Sequence, residues 1–479
     1  MSVESTLDAL GVAQVIVTLK SVPLGAGAAM TAASPAMSDV TRHFRTSEES
    51  QPGALAAANA GRHASKAALE GGKVQAPPAC RVYNNLGLVL GTIDKEGLAG
   101  LKSDPEVDTI NEAPHVSLIR PVSAEPAAAA TGPTWGIKRL KVDQVWARGF
   151  TGKGVLVGHL DTGVDGKHPA LKTAIQAFAE FDAIGNEVQG AKPRDSDEHG
   201  THTAGTICGR PVNGSKFGVA PGAKLASAMV IEGGDVIARI LGGMDWIVGK
   251  GAKILSMSLG LRGFRNDFLP LMQAIRNRGI LPVIAVGNEG PGTSRSPGNY
   301  DIVLSVGASD NTDRVASFSS SQRIVRTNDP RVPDIAAPGV DVLSAVPGNR
   351  FAMMDGSSMA TPHIAGLAAL LWEAKPGASA KQIEAAIFDS CTLPASMPAS
   401  RANRGVPDAM KALSILLGTS LSDLKPAKKA ARKTAKKGTK KSPKKGAKKT
   451  AKAAKKKAAP VKKSAAKKKA VKKAAKKKP

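Results

Sequence analysis

Apolar and polar positions alternate over Gln14–Lys20 and again over Arg81–Ile93, the period of strands with one covered face. A helical spacing follows over Asp94–Lys102, and strand character returns over Glu106–Asn111. Further along, five near-continuous apolar runs stand out: Gly154–Leu160, Lys224–Val230, Ala252–Ser258, Leu281–Val286 and Ile302–Val306. Runs of this kind suit strands of a parallel sheet covered on both faces. Between and after them, Val236–Val248, Leu269–Arg278, Met359–Trp372 and Ala380–Asp389 carry the 3.6-residue spacing of covering helices. The pattern predicts an α/β domain, doubly wound, with a mostly parallel sheet and helices on both faces.

The segments between these elements divide the chain. An Ala/Gly/Ser-rich insertion over 24–76 interrupts a small α+β unit spanning 1–120, and its composition suits loop or disorder. Residues 121–133 hold Ala127–Ala130 with prolines on both sides and read as an exposed, cleavable linker. The α/β domain occupies 134–418. Residues 425–479 form a Lys/Ala/Pro tail without an aromatic residue, expected to be disordered.

Charge sharpens that division. The net charge is +28, yet 425–479 holds 27 of the 67 basic residues and no acid. The other 424 residues carry 40 basic and 39 acidic side chains, so the basicity is local. Cys80, Cys208 and Cys391 are too few and too scattered for a disulfide framework or a metal cluster. The opening Met1–Asp8 lacks a basic region followed by an apolar one, which favours a cytoplasmic location. The longest apolar runs, near Ile280 and Ile364, are too short to span a bilayer.

Three polar motifs fall at strand ends or helix starts, where open α/β sheets place their ligands. They are Leu160-Asp161-Thr162-Gly163, the His199–Gly205 run His-Gly-Thr-His-Thr-Ala-Gly, and the Gly356–His363 run Gly-Ser-Ser-Met-Ala-Thr-Pro-His. Acyl transfer needs a nucleophile, a base beside it and a group that orients the base. A serine hydroxyl, a histidine and an aspartate supply these in turn.

With these motifs in the order Asp, His, Ser, residues 134–418 resemble the subtilisin family of serine proteases. The resemblance implies a serine endopeptidase with Asp161 as orienting acid, His199 as general base and Ser358 as nucleophile. Asn288, in Ala285-Val-Gly-Asn-Glu-Gly290, matches the family's oxyanion-hole amide. Ser258, Leu259 and Gly260 match the strand edge that pairs with an extended substrate. Arg295, placed by Pro297, Gly298 and Tyr300, falls near the family's primary specificity pocket. A cation there would favour an acidic residue before the cleaved bond, although a solvated loop charge is the equal alternative.

The resemblance also reads 1–120 as an inhibitor-like propeptide, released by cutting between about Ile119 and Pro133, with an attached N-terminal domain as the alternative. No cofactor is required for the chemistry. Structural Ca²⁺ is an option in this family, but acidic loop residues such as Asp195 and Asp197 define no site. His168, His202 and His363 read as structural histidines. The tail resembles linker-histone C-terminal regions in composition, so nucleic acid or another polyanion is its expected partner. A monomer acting on proteins or peptides is expected, with secretion as the family's alternative location. The competing reading is a nucleic-acid-associated protein using a protease fold as scaffold.

Overall fold

The computed structural model describes residues 2–20, 39–45 and 80–424, apart from 115, 183, 233–235 and 328. The expected disorder of the tail and most of the 24–76 insertion lie outside the described residues. Within the insertion, 39–45 is described: a short 3-10 turn at Thr41–His43 buries Val40 and Phe44 among the N-terminal apolar side chains.

The N-terminal unit is an antiparallel sheet of β1 (Ala13–Leu19), β2 (Cys80–Tyr83), β3 (Leu88–Ile93) and β4 (Val107–Glu112), in the order β2-β3-β1-β4. The single run expected over 81–93 is two strands, because the backbone turns at Asn84–Gly87 and only Gly87 takes a positive φ there, +72°. Helices α1 (Val3–Leu10) and α2 (Lys95–Ser103) start at the caps Ser2 and Asp94, whose side chains accept backbone N–H groups. Strand alternation sends Val15 and Val17 toward these helices, and Ile16, Leu88 and Leu90 toward the large domain.

Two connecting strands follow, β5 (Ser117–Leu118) and β6 (Ser123–Ala127). The second lies within the expected linker, which thus contains a largely exposed strand. It pairs antiparallel with β16 (Arg350–Asp355), in register from Ser123 opposite Asp355 to Ala127 opposite Phe351.

The large domain is built on a seven-stranded parallel sheet. Its strands are β7 (Leu156–Asp161), β8 (Ile175–Glu180), β9 (Lys224–Met229), β10 (Ile254–Met257), β12 (Leu281–Ala285), β13 (Leu304–Ser309) and β14 (Ile335–Pro338). The order is β14-β13-β12-β10-β7-β9-β8. β11 (Leu259–Arg262) continues from β10 but leaves the sheet to pair with β5. β15 (Val342–Val346) and β16 form a hairpin beside it.

Alternation along the strands splits the core. Val157, Leu225, Ile254 and Val283 face one layer with helices α3 (His199–Cys208), α6 (Ser357–Ala374), α7 (Ala380–Ser390) and α8 (Ala409–Leu417). Leu160, Ala228, Leu255 and Ile284 face the other, with α4 (Val236–Gly249) and α5 (Leu269–Asn277). That second layer also receives the inward face of the N-terminal sheet. The seam is pinned by Asp245 on α4, which accepts from the Leu86 N–H at 2.9 Å and from Asn85 Nδ2 at 3.0 Å. The Tyr83 hydroxyl donates to the Ala238 carbonyl at 3.2 Å. Among the described residues no helix is long and apolar enough to cross a membrane.

Candidate active site

The site lies at the carboxyl end of β7, the fifth of the seven strands. β7 delivers Asp161 as its last residue, and the chain turns sharply at Gly163, whose φ is +119°. A Cβ there would stand 2.2 Å from the Arg194 carbonyl oxygen, and one on Gly200 would stand 2.2 Å from the Gly163 carbonyl oxygen. These two glycines let the Asp161 turn lie directly on the first turn of α3.

Polar groups lock that junction. Asp195 accepts from Thr162 Oγ1 at 2.7 Å and from both N–H and O–H of Thr201 at 2.6 Å. Asp197 caps α3 by accepting the Glu198 and His199 N–H groups at 2.6 and 3.3 Å. These bonds engage Asp195 and Asp197, the acidic loop residues that define no cation site in the sequence. Among the described residues no group of three or more His, Cys, Asp or Glu could hold a metal ion.

The first helical residue, His199, meets Asp161 through a 2.6 Å bond from Nδ1 to Oδ1, with both side chains 1% exposed. The Thr162 N–H also donates to Oδ1, at 2.8 Å, which fixes the carboxylate plane. Burial opposes the charged form of Asp161, but the charge and hydrogen bond of His199, with a contribution from His159, outweigh it. Its carboxyl is held well below the usual carboxylate range. Burial likewise opposes a charged His199, and the Asp161 carboxylate outweighs that and holds the imidazole above its ordinary value. The Nε2 of His199 is buried without a hydrogen-bond partner.

Ser358 is the second residue of α6, buried like the rest of that turn. Pro362, four residues on, has no N–H to return to the Ser358 carbonyl. That oxygen instead lies 3.5 Å from Ser258 Oγ. The Ser358 hydroxyl does not bond His199; it donates to the Ile119 carbonyl at 2.6 Å. Asn288 is oriented by Ser357, whose N–H and hydroxyl both donate to Oδ1 at 2.8 Å. Its Nδ2 donates to the Arg120 carbonyl at 2.9 Å.

The chain's own segment 117–120 therefore lies across the site. Ser117 and Leu118 pair antiparallel with Gly260 and Leu259, and the Ile119 N–H donates to the Ser258 carbonyl at 2.9 Å. Beyond the site, the Val122 N–H donates to the Asp355 carbonyl at 2.8 Å, where β6 begins its pairing with β16. The seven residues singled out from sequence, Asp161, His199, Ser258, Leu259, Gly260, Asn288 and Ser358, converge on this segment or on each other.

Arg295 is not the solvated loop charge that the sequence allowed as one alternative. It is 7% exposed, bonded to Glu289 through Nε at 2.8 Å and again through Nη2. Its Nη1 reaches Ser117 Oγ at 3.0 Å and the Gly260 carbonyl at 3.3 Å. Burial opposes the Glu289 carboxylate, and the Arg295 bond outweighs it, drawing the carboxyl below its ordinary range.

A second serine–histidine pair was not anticipated. His159, two residues before Asp161 on β7, approaches Ser227 on β9 at 3.0 Å and Thr203 on α3 at 2.8 Å. Its Nε2 lies 3.6 Å from Asp161 Oδ2. The polar residue interrupting an otherwise apolar strand was the available signal.

Comparison with known proteins agrees with this geometry. The subtilase family model matches residues 152–430. M-protease of Shouchella clausii (strain KSM-K16) is 35% identical over 293 residues, covering 60% of this chain and 72% of that protein. Subtilisin Savinase of Lederbergia lenta is 36% identical over 261 residues, 54% of this chain and 91% of that protein. Subtilisin E of Bacillus subtilis (strain 168) is 31% identical over 313 residues, 64% and 74% of the two chains.

Proposed function

Because this chain belongs to the subtilase family and is a serine endopeptidase, we propose that Asp161, His199 and Ser358 are its catalytic triad and Asn288 its oxyanion donor. The observation that carries this reading is the peptide held in the site. Residues 117–118 add a strand to β11, and the next carbonyl reaches the Ser358 hydroxyl.

In this reading His199 Nε2 takes the Ser358 proton as Oγ bonds the carbonyl carbon of the substrate. The carbonyl electrons move to oxygen, and Asn288 Nδ2 with the Ser358 N–H stabilises that charge. The position of Ser358 in the first turn of α6 adds the favourable end of a helix dipole. The intermediate expels the amine, which takes its proton from His199, leaving an acyl ester on Ser358. Water, deprotonated by His199, then releases the acid and restores the hydroxyl. Asp161 holds the imidazole tautomer throughout and stabilises the imidazolium. No cofactor enters these steps.

Ser227 is not assigned the nucleophile's role. It lies within β9 between β7 and β8, and segment 117–120 pairs with β11 and not with this strand.

The same peptide supports self-processing. Register with β11 and the Ser358 contact put Ile119 on the acyl side, whereas Asn288 Nδ2 holds the Arg120 carbonyl, so the bonds offered are Ile119–Arg120 and Arg120–Pro121. After cleavage the 2–119 unit would keep its own sheet and its seam on α4, and so remain as an inhibitor. The test compares wild type with Ser358→Ala on a denatured protein substrate and a serine-directed phosphonate. Hydrolysis and labelling by wild type alone support the reading. Equal inactivity of both proteins refutes it and favours the scaffold alternative.

A second assignment concerns 425–479, which lies outside the described residues. Its 27 cationic side chains without an acid support binding to nucleic acid or another polyanion by counterion release. Affinity for duplex DNA should fall steeply and log-linearly with salt, and vanish on truncation at Leu424. Salt-independent binding would refute the assignment, and preferential capture by heparin would make the partner another polyanion.

A further inference from the structure

Behind the carboxylate that faces His199 lies a chain of buried polar side chains that the chemistry above does not use. Asp161 Oδ2 receives the Thr203 hydroxyl at 3.1 Å. Thr203 Oγ1 lies 2.8 Å from His159 Nε2, and His159 Nδ1 lies 3.0 Å from Ser227 Oγ. All four side chains are buried, at 2% exposure or less. They come from β7, β9 and α3, so the chain ties two adjacent strands to the helix that begins with His199.

Its polarity follows from the charge on Asp161: the acceptors around Thr203 Oγ1 can all only accept, and the carboxylate is the ionised one among them. The Thr203 proton therefore points at Oδ2, which leaves its oxygen to accept the N–H of His159 Nε2. The Nδ1 of His159 is then a lone pair that accepts the Ser227 hydroxyl. Three hydrogen bonds run in one direction, each polarising the next toward Asp161. The arrangement also resolves a competition. Thr203 Oγ1 lies 3.2 and 3.1 Å from the His199 and Gly200 carbonyls, the usual targets of a helical threonine. Donation from His159 occupies a lone pair of the oxygen, and the ionised carboxylate outcompetes the two neutral carbonyls for the proton.

Burying an imidazole and two hydroxyls inside the fold costs more than burying aliphatic side chains, unless every group is paired. Here His159 is paired on both ring nitrogens. We infer that His159, Thr203 and Ser227 form a positioning relay that anchors Asp161 Oδ2 from behind, so that Oδ1 is held in line with His199 Nδ1. The inference rests on the assignment of Asp161 and His199 to the triad. None of the three relay residues touches the peptide, so they act through Asp161.

The test removes the three relay side chains together, so that Asp161 Oδ2 is the one group left without its donor. In the triple variant His159→Val/Thr203→Val/Ser227→Ala, the relay residues become apolar together, which such networks tolerate better than single deletions. Folding is followed by thermal unfolding, activity by kcat and KM on a peptide, and the Asp161–His199 bond by its far-downfield proton resonance. The expected result is kcat reduced about tenfold at unchanged KM, with a shifted or broadened resonance. Thr203→Ser, which keeps the hydroxyl, should stay within about twofold of wild type, and Thr203→Val alone should not.

A folded triple variant with wild-type kcat and an unmoved resonance would overturn the relay while leaving the triad standing. Should the triple variant fail to fold, equal kcat for Thr203→Val and Thr203→Ser would overturn it as well. Wild type no more active than Ser358→Ala would bring down the triad and the relay together.

Discussion

The Ser358 hydroxyl donates a 2.6 Å hydrogen bond to the carbonyl oxygen of Ile119, 239 positions earlier in the chain. The neighbouring bond to Arg120 is a secondary amide, whereas the next, Arg120–Pro121, is tertiary and would release the hindered secondary amine of proline. Wild-type protein should therefore carry Arg120 as its new N-terminus, and Ser358→Ala should stay full length by intact mass. A cut within 122–133 would show that the register of β5 on β11 is not the reactive one.

Asn288 is held by two bonds from Ser357 and reaches the peptide with Nδ2. Asn288→Ala should lower kcat by about 10²–10³-fold with little change in KM, the loss typical of one oxyanion donor. Asn288→Asp should not restore it, because a carboxylate has no proton to donate. A comparable loss in KM alone would place Asn288 in ground-state binding.

Ser117 and Ile119 point to the same side of the added strand, two residues apart. Arg295 touches Ser117 beneath that side, with its charge matched by Glu289. Wild type should accordingly show no preference for an acidic residue before the cleaved bond. Glu289→Gln leaves the cation unmatched and should raise kcat/KM for acidic over aliphatic peptides by about tenfold. An unchanged ratio would mean that Arg295 serves the loop alone.

The base must be neutral to act, and Asp161 holds the His199 imidazole above its ordinary value of 6.5. The acid limb of kcat/KM should thus have its midpoint above pH 6.5. Asp161→Asn removes the attraction, so the limb should move down while kcat falls by about 10⁴-fold. A wild-type midpoint below 6 would contradict the pairing.

Stability should respond to acid through other histidines. His202 donates from Nε2 to the Val342 carbonyl at 2.9 Å, and burial lowers it to about 3. His363 donates from Nδ1 to the Met359 carbonyl at 2.8 Å, and burial lowers it to about 4. Both stay neutral in the fold while the unfolded chain gains protons below pH 6.5. Their stabilisation is complete above that value and fades as pH falls toward 4. Each removes up to about 1.4 kcal/mol per pH unit there. Thermal unfolding of Ser358→Ala between pH 7 and 4.5 should show this decline, and adding His363→Gln should flatten it.

The sequence by itself determined the parts whose signals are local. The five buried strand runs, the four helices and the three triad motifs each depend on residues a few positions apart, so period and turn chemistry expose them. β8, β14 and the β15–β16 hairpin escaped because Ile175–Glu180 is half exposed and Ile335–Pro338 is too short to show a period. Tertiary structure alone decided which groups meet. Nothing near Ile119 marks it as the carbonyl beside Ser358, and Glu289, though only six positions before Arg295, shows as its counter-charge only once both are buried together. Residues 123–127 look like linker because an edge strand draws its hydrogen bonds from a distant partner, not from its own composition. His159, Thr203 and Ser227 lie 24 to 68 positions apart, and only the packing of β7 against β9 and α3 turns three isolated polar residues into one chain.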